Sequence, residues 1–544
     1  MKKVSKFFLA TLMGVAAVAC SSPEKMAKMA ENVTVNCEPA ILEVVGGEIN
    51  ADVTVSYPSD YFHPQAILDV TPVIVYEGGE EKMEPFTFQG EKVKDNYEVV
   101  SKQGKAITKH VKFAYKPGME KSHLELRGVV RYKSKFVKLP VKKAADGANT
   151  TYMLACQDGK VDYKADGYQE IIKQTEEGQI LYTISSSNVR SKELKSQSIK
   201  DFQAAIDEIK ANERKQLVST DIVAYASPDG KEDMNAKLSD RRSVSAEKAF
   251  AKVTKKHSIE GPVNVQSIGE DWEGFQELVA ASDIEDKDLI IRVLSMYSDP
   301  AVREQEIKNM SAVYTTLAKE VLPELRRARF IANVEFTNYS SEELLQLIEE
   351  NIDVLDETAL LRSANLVKKN ADKEALYRKA IEKFNSNTAQ YNLAVLMIKT
   401  NKLDKAAAEL AKAEKDADWN NAMGVLALRN GNKAEAAKYF KAANNQTSLE
   451  NLGLLDILAG DYKAAAKKLA GSKSFNESLV QVLNGNYNAI ASHNCKCGKM
   501  AYLKAIVAAR QGKADEVKAN LAQASKNKKL AARAAKDIEF AQYR

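Results

Sequence analysis

From about Val33 to Leu139 apolar and polar positions alternate with a period of two. Ile49, Ala51, Val53, Val55 and Tyr57 fall between Asn50, Asp52, Thr54 and Ser56, and Val130, Tyr132 and Phe136 fall between Arg131, Lys133 and Lys135. Alternation of this kind predicts half-buried antiparallel strands. Glycine punctuation at Gly46-Gly47, Gly78-Gly79, Gly90 and Pro117-Gly118 spaces them as in an N-terminal all-β sandwich over 32–145. The less regular stretch 146–178 reads as a connecting hairpin or linker.

The period then changes. A strand over 179–187 is followed by Ile199, Phe202, Ile206 and Ile209 at helical spacing. A second strand, 217–226, runs into a polar turn carrying Pro228 and Gly230, and a helix opens near Asn235. A third strand covers 263–268. The order β-α-β-α-β predicts an α/β sandwich with its helices on one face. A helical insertion, 271–323, precedes a strand at 326–337 that completes the same sheet, so the central domain spans 179–338.

A helical linker, 339–373, leads to a region where helical periodicity and turn residues recur together. The strings NKLDKAA at 401–407, GNKAEAA at 431–437, GDYKAAA at 460–466, GNYNA at 485–489 and GKADEV at 512–517 each follow an apolar helix. The step is 25 to 30 residues, against ~34 for the tetratricopeptide repeat, which these helix-turn-helix units resemble in shortened form. The resemblance implies a helical repeat solenoid over 374–544, with a concave surface that binds extended peptides or partner helices.

At the other end, Lys2, Lys3 and Lys6 precede the apolar run 7–18, which is too short for a membrane span. Ala17-Val18-Ala19-Cys20 resembles the lipoprotein box. That resemblance implies a signal peptide over 1–19, acylation of Cys20 and a lipid-anchored mature chain with a polar tether over 20–31. Two or three acyl chains anchor stably at ~0.8 kcal/mol per buried CH₂. No acidic run follows Cys20, which favours the periplasmic face of the outer membrane.

Composition narrows the function classes. The 544 residues are 44% hydrophobic and 28% charged with a net charge of +5, a folded composition without the basic stripe that nucleic-acid binding requires. Five scattered histidines leave little material for acid–base or metal chemistry. His493-x-Cys495-x-Cys497 has no second ligand pair to complete a zinc site. No hydrolase, metalloprotease or phosphate-loop motif occurs. The expectation is a non-enzymatic chain with no cofactor and no metal. Cys37 and Cys156 form a candidate disulfide in an oxidising compartment.

The string Gly230, Asn235, Leu238-Ser239, Arg241-Arg242 matches, from its glycine onward, the signature of the outer-membrane protein A-like peptidoglycan-binding domain, which this stretch resembles. Members clamp the diaminopimelate of the wall stem peptide between an Asp and the second Arg. The Arg corresponds to Arg242, whereas Ser227 stands where the family has Asp, with Asp229 two residues on. The resemblance implies a peptidoglycan-binding site built from Arg242, Asn235, Ser227, Asp229 and Arg241. The expected function is a lipoprotein that tethers or scaffolds an envelope assembly, binding the stem peptide centrally and outer-membrane proteins through its repeats. The alternative is a pure interaction scaffold whose wall domain does not bind.

Overall fold

The computed structural model describes residues 23–257, 261–284, 286–490 and 497–544. The signal peptide, Cys20, His493 and Cys495 lie outside the described residues. A short helix, α1 (Pro23–Lys28), leads into eleven strands: β1 (Thr34–Glu38), β2 (Ile41–Val45), β3 (Glu48–Tyr57), β4 (Ile67–Tyr76), β5 (Gly79–Lys82), β6 (Phe86–Gly90), β7 (Glu98–Val100), β8 (Lys105–Ala114), β9 (Ser122–Tyr132), β10 (Lys135–Lys138) and β11 (Lys142–Asn149). The expected alternation is present: Leu124, Leu126 and Val130 of β9 and Ile49, Ala51 and Val53 of β3 are buried, with less buried neighbours between them.

The expected sandwich of separate sheets is not what forms. All eleven strands belong to one hydrogen-bonded sheet, a half-barrel, in the order β1-β3-β2-β11-β9-β4-β6-β7, with β8 on β3, β5 on β4 and β10 on β9. The join is a parallel pairing of β2 with β11 (Ile41 opposite Asp146, Glu43 opposite Asn149). Alternation reports which face a residue occupies and is silent on which strand lies alongside.

The sheet absorbs residues 146–149, a 3₁₀ turn covers Thr151–Leu154, and 155–170 carry no strand pairing, so no hairpin forms there. The candidate disulfide is also corrected. Cys37 sits on β1 opposite Val53, Cys156 lies in the extended segment, and both thiols are free. Burial, reinforced by Glu38 and Asp52, pushes the Cys37 thiol up to about 11.

The central module consists of β12 (Ile171–Leu181), α2 (Gln197–Ala211), β13 (Lys215–Ala226), α3 (Glu232–His257), β14 (Val263–Glu270), the inserted helices α4 (Trp272–Ala281), α5 (Lys287–Met296), α6 (Pro300–Asn309) and α7 (Ser311–Glu320), and β15 (Arg327–Thr337). Its sheet order is β12-β15-β13-β14. The last strand enters the middle, antiparallel to both neighbours, while β13 and β14 run parallel. Ile199, Phe202 and Ile206 of α2 and Ala246 and Phe250 of α3 pack with Ile222, Ala224 and Phe330 of the sheet. This is the helix stripe that the sequence predicts, started by Ser196, whose side chain caps the Ile199 amide. The insertion closes a core of its own around Phe275, Val279, Ile290, Leu294 and Leu317.

Helices follow to the C-terminus: α8 (Ser341–Glu350), α9 (Glu357–Leu366), α10 (Asn370–Phe384), α11 (Asn387–Lys399), α12 (Leu403–Leu410), α13 (Ala417–Arg429), α14 (Lys433–Ala443), α15 (Gln446–Ala459), α16 (Tyr462–Leu469), α17 (Phe475–Leu483), α18 (Gly498–Arg510), α19 (Ala514–Ala524) and α20 (Lys528–Ala534). The recurring turn residues Asn401, Gly431, Gly460, Gly485 and Gly512 all have positive φ, the left-handed geometry that ends one helix and redirects the chain into the next. Small residues let the helices approach: a Cβ on Gly424 would lie 2.4 Å from the Phe440 ring, and one on Gly453 would lie 2.7 Å from Leu469. Among the described residues no helix is long and apolar enough to cross a membrane.

The chain divides into two compact units, one of residues up to Lys164 together with Gln390–Arg544, the other Ala165–Ala389. In the first, the β-rich region packs on the repeats. Glu539 accepts hydrogen bonds from Asn149 (2.7 Å) and Thr151 (3.0 Å), and Arg533 donates to the Thr150 carbonyl (2.7 Å). In the second, Arg214 pairs with Glu343 at 2.7 Å, holding α8 to the central module.

Candidate functional site

The signature residues gather where β13 hands over to α3. Asn235 Nδ2 donates to the carbonyls of Ser227 (3.1 Å) and Gly230 (3.3 Å) and to Glu270 Oε1 (2.9 Å), closing the turn onto the first helical turn. Ser227 Oγ donates to Asp229 Oδ1 at 2.6 Å. Arg326 completes the cluster, its Nη2 3.0 Å from Asp229 Oδ2 and its Nε 3.3 Å from Ser227 Oγ. Burial raises the pKa of Glu270, which also accepts from the Trp272 indole at 2.9 Å.

Arg242 sits beneath this turn, 1% exposed. Its Nε donates to the Ser186 carbonyl (3.0 Å), Nη1 to Tyr225 (2.8 Å) and Nη2 to Thr183 (3.3 Å), and the guanidinium lies 4.9 Å from the Tyr182 ring centre. Each guanidinium nitrogen therefore donates to main chain. Burial lowers its pKa to about 10, which leaves it charged at neutral pH. Arg241 is exposed on the outer face of α3. The structure thus brings Ser227, Asp229 and Asn235 together, places Arg242 under them as a tie between the 183–186 loop and the end of β13, and leaves Arg241 apart. Arg326, unforeseen from the sequence, holds the carboxylate that a ligand ammonium would need. The only sequence signal for it was the arginine run at 326–329 opening the last strand.

A second site was invisible in the sequence. The segment from Cys156 to Lys164 lies along helices α11, α13, α15 and α17 as an extended chain gripped by asparagines. Asn476 accepts from the Cys156 amide (2.8 Å) and donates to its carbonyl (3.1 Å). Asn451 does the same for Lys160 (2.6 and 2.8 Å), with Asn421 donating to the same carbonyl (3.0 Å). Asn392 does so for Lys164 (2.7 and 3.1 Å). A carboxamide offers a donor and an acceptor side by side, matching the N–H and C=O that one residue of an extended chain turns to the same edge. The clasped residues, Cys156, Lys160 and Lys164, are four apart, and the eight-residue step from first to last crosses all four asparagine-bearing helices.

Side chains add selectivity. Lys160 pairs with the largely buried Glu450 (2.8 Å), Lys164 pairs with Asp416, and Arg429 donates to the Asp158 carbonyl (2.8 Å). Gly159 has φ +74°, and a Cβ there would meet Val425 at 3.0 Å. A cavity of about 400 Å³ remains between this segment and the helices, lined by Asp158, Lys160, Lys399, Arg429 and Phe475 among others. The missed signal was positional. Asn392, Asn421, Asn451 and Asn476 each precede the left-handed residue of their own turn by nine or ten positions.

No family model and no curated protein matches the chain. Among solved structures it is similar to a tetratricopeptide repeat protein from Parabacteroides merdae, at 11% identity over 34% of this chain and 84% of that one, with a TM-score of 0.28. It is also similar to the APC/C hetero-tetramer Cut9-Hcn1, at 12% identity over 54% of this chain and 68% of that one, with a TM-score of 0.31. The repeat architecture itself rests on the helix pairs and the left-handed turns between them.

Proposed function

We propose that this chain is a non-catalytic interaction scaffold of the cell envelope, anchored through Cys20 at the periplasmic face of the outer membrane. The observation that carries the scaffold reading is the asparagine ladder. Four carboxamides on successive repeats hold extended main chain, the chemistry by which a helical stack takes up a peptide. The anchor rests on the basic, apolar and small-residue order that ends at Cys20. The outer-membrane protein A-like resemblance of the central module is supported by the signature spacing and by the strand entering mid-sheet. A second reading, stem-peptide binding by that module, is favoured by the convergence of Ser227, Asp229 and Asn235 on one turn.

The test is made in intact cells with tagged fatty acid and envelope cross-linking. Wild type should carry label and cross-link to defined envelope proteins, while Cys20→Ala carries no label and loses those adducts. Equal labelling of the two forms would remove the anchor, and a wild type without adducts would remove the scaffold.

A further inference from the structure

The groove of the repeats already holds a ligand, and that ligand is the chain itself. Residues 156–164 lie between the β-rich region and the central module in sequence, yet they form no strand and no helix. Their order comes from side chains of the repeats: three asparagines that each clasp one residue's N–H and C=O, Asn421 as a fourth donor, Glu450 and Asp416 as anion partners for Lys160 and Lys164, and Arg429 on the Asp158 carbonyl. Within this segment Val161 is 4% exposed. Such a site recognises a pattern rather than a shape: extended main chain, a glycine against Val425, a cation directly after it and a second cation four residues further on.

We infer that residues 156–164 are a built-in competitor in a peptide-binding groove, and that a partner segment with the same glycine-lysine-x-x-x-lysine chemistry enters only by displacing this strap. The inference deepens the scaffold reading by naming its site and the class of peptide that the site takes. The physical basis for exchange lies in the kind of contact. A strap held mainly by side-chain hydrogen bonds and partly exposed ion pairs, with Val161 its one fully buried apolar side chain, opens at less free energy than helices held by extended apolar cores. An incoming segment that repeats the same contacts replaces what opening loses. A strap anchored at both ends has a high effective concentration, so the competitor must be concentrated or the strap weakened.

The full chain is titrated with a fluorescent synthetic peptide of residues 154–166. Two strap variants accompany wild type: Gly159→Val, which places a branched side chain at a positive φ against Val425, and Lys160→Pro, which removes the amide that Asn451 accepts. The strap variants should bind the peptide about tenfold or more tighter than wild type. Adding Asn421→Ala and Asn451→Ala to either should abolish that gain. Equal affinity in wild type and strap variants would overturn the inference, as would absence of binding to strap variants whose helical circular dichroism is intact.

Hydrogen exchange on wild type supplies an arm that needs no variant. The amides of Cys156, Lys160 and Lys164 should exchange faster than those in the middle of α13. Exchange of both sets only through global unfolding would make the strap a fixed spine. In that event envelope cross-links that persist in the asparagine variants would keep the scaffold reading while this inference fails.

Discussion

Arg242 shows how one residue type can serve two opposite roles. A guanidinium at the mouth of the turn receives a carboxylate through a charge-assisted fork, whereas a guanidinium spent on the carbonyls of Thr183, Ser186 and Tyr225 fastens the 183–186 loop to the end of β13. Arg242→Ala would take the donor from three part-buried main-chain carbonyls and leave a cavity where a fully buried side chain stood, so the chain should lose about 3 kcal/mol of stability. Chemical denaturation followed on the central module checks this. A variant of unchanged stability that no longer sediments with peptidoglycan sacculi would instead return Arg242 to the ligand. The pair Arg327–Asp271 teaches the same lesson. Asp271, 2% exposed, caps α4 through the Gly274 amide and accepts from Arg327 at 2.8 Å, so its charge is structural.

At the scale of elements, the turns between repeat helices share one backbone geometry but differ in what surrounds them. At Gly431 (φ +83°) a Cβ would meet nothing within 4 Å, whereas at Gly460 (φ +89°) it would lie 2.1 Å from Val45 of β2. Gly431→Ala should therefore cost about 1–2 kcal/mol, the penalty of a left-handed alanine. Gly460→Ala should cost about twice that or more, because a stiff β-branched neighbour must also move. Paired denaturation curves decide the matter, and equal losses at the two glycines would mean that the β2–β3 turn does not bear on the repeats. The helices themselves were readable because apolar faces recur at helical spacing, as were β13 and β14, whereas the strand expected at 179–187 forms instead as β12 over Ile171–Leu181 and shares only residues 179–181 with it. The parallel β2–β11 pairing was not readable, since register between strands over a hundred residues apart leaves no local trace in either.

For the whole molecule, the first compact unit is made from the two ends of the chain. The β-rich region and the strap meet the repeats through Asn149, Thr150, Thr151 and the asparagine ladder. Residues 23–164 and 387–544, expressed as separate chains, should accordingly co-purify, and 387–544 alone should melt at a lower temperature than the pair. Two fragments that ignore each other, with a repeat fragment as stable alone as mixed, would refute that organisation. Sequence by itself determined the periods: two along the first strands, helical along α2 and the repeats, and a repeat step fixed by Asn401, Gly431, Gly460, Gly485 and Gly512. These are local properties, written in residues that must be apolar on one face or left-handed at one position. Tertiary structure alone decided that Arg242 faces carbonyls, that Arg326 takes Asp229, that Cys37 and Cys156 stay apart, and that residues 156–164 lie in the repeat groove. Each depends on groups far apart in the chain meeting in space, and an asparagine reads the same in sequence whether it faces water or clasps a backbone some 290 residues away.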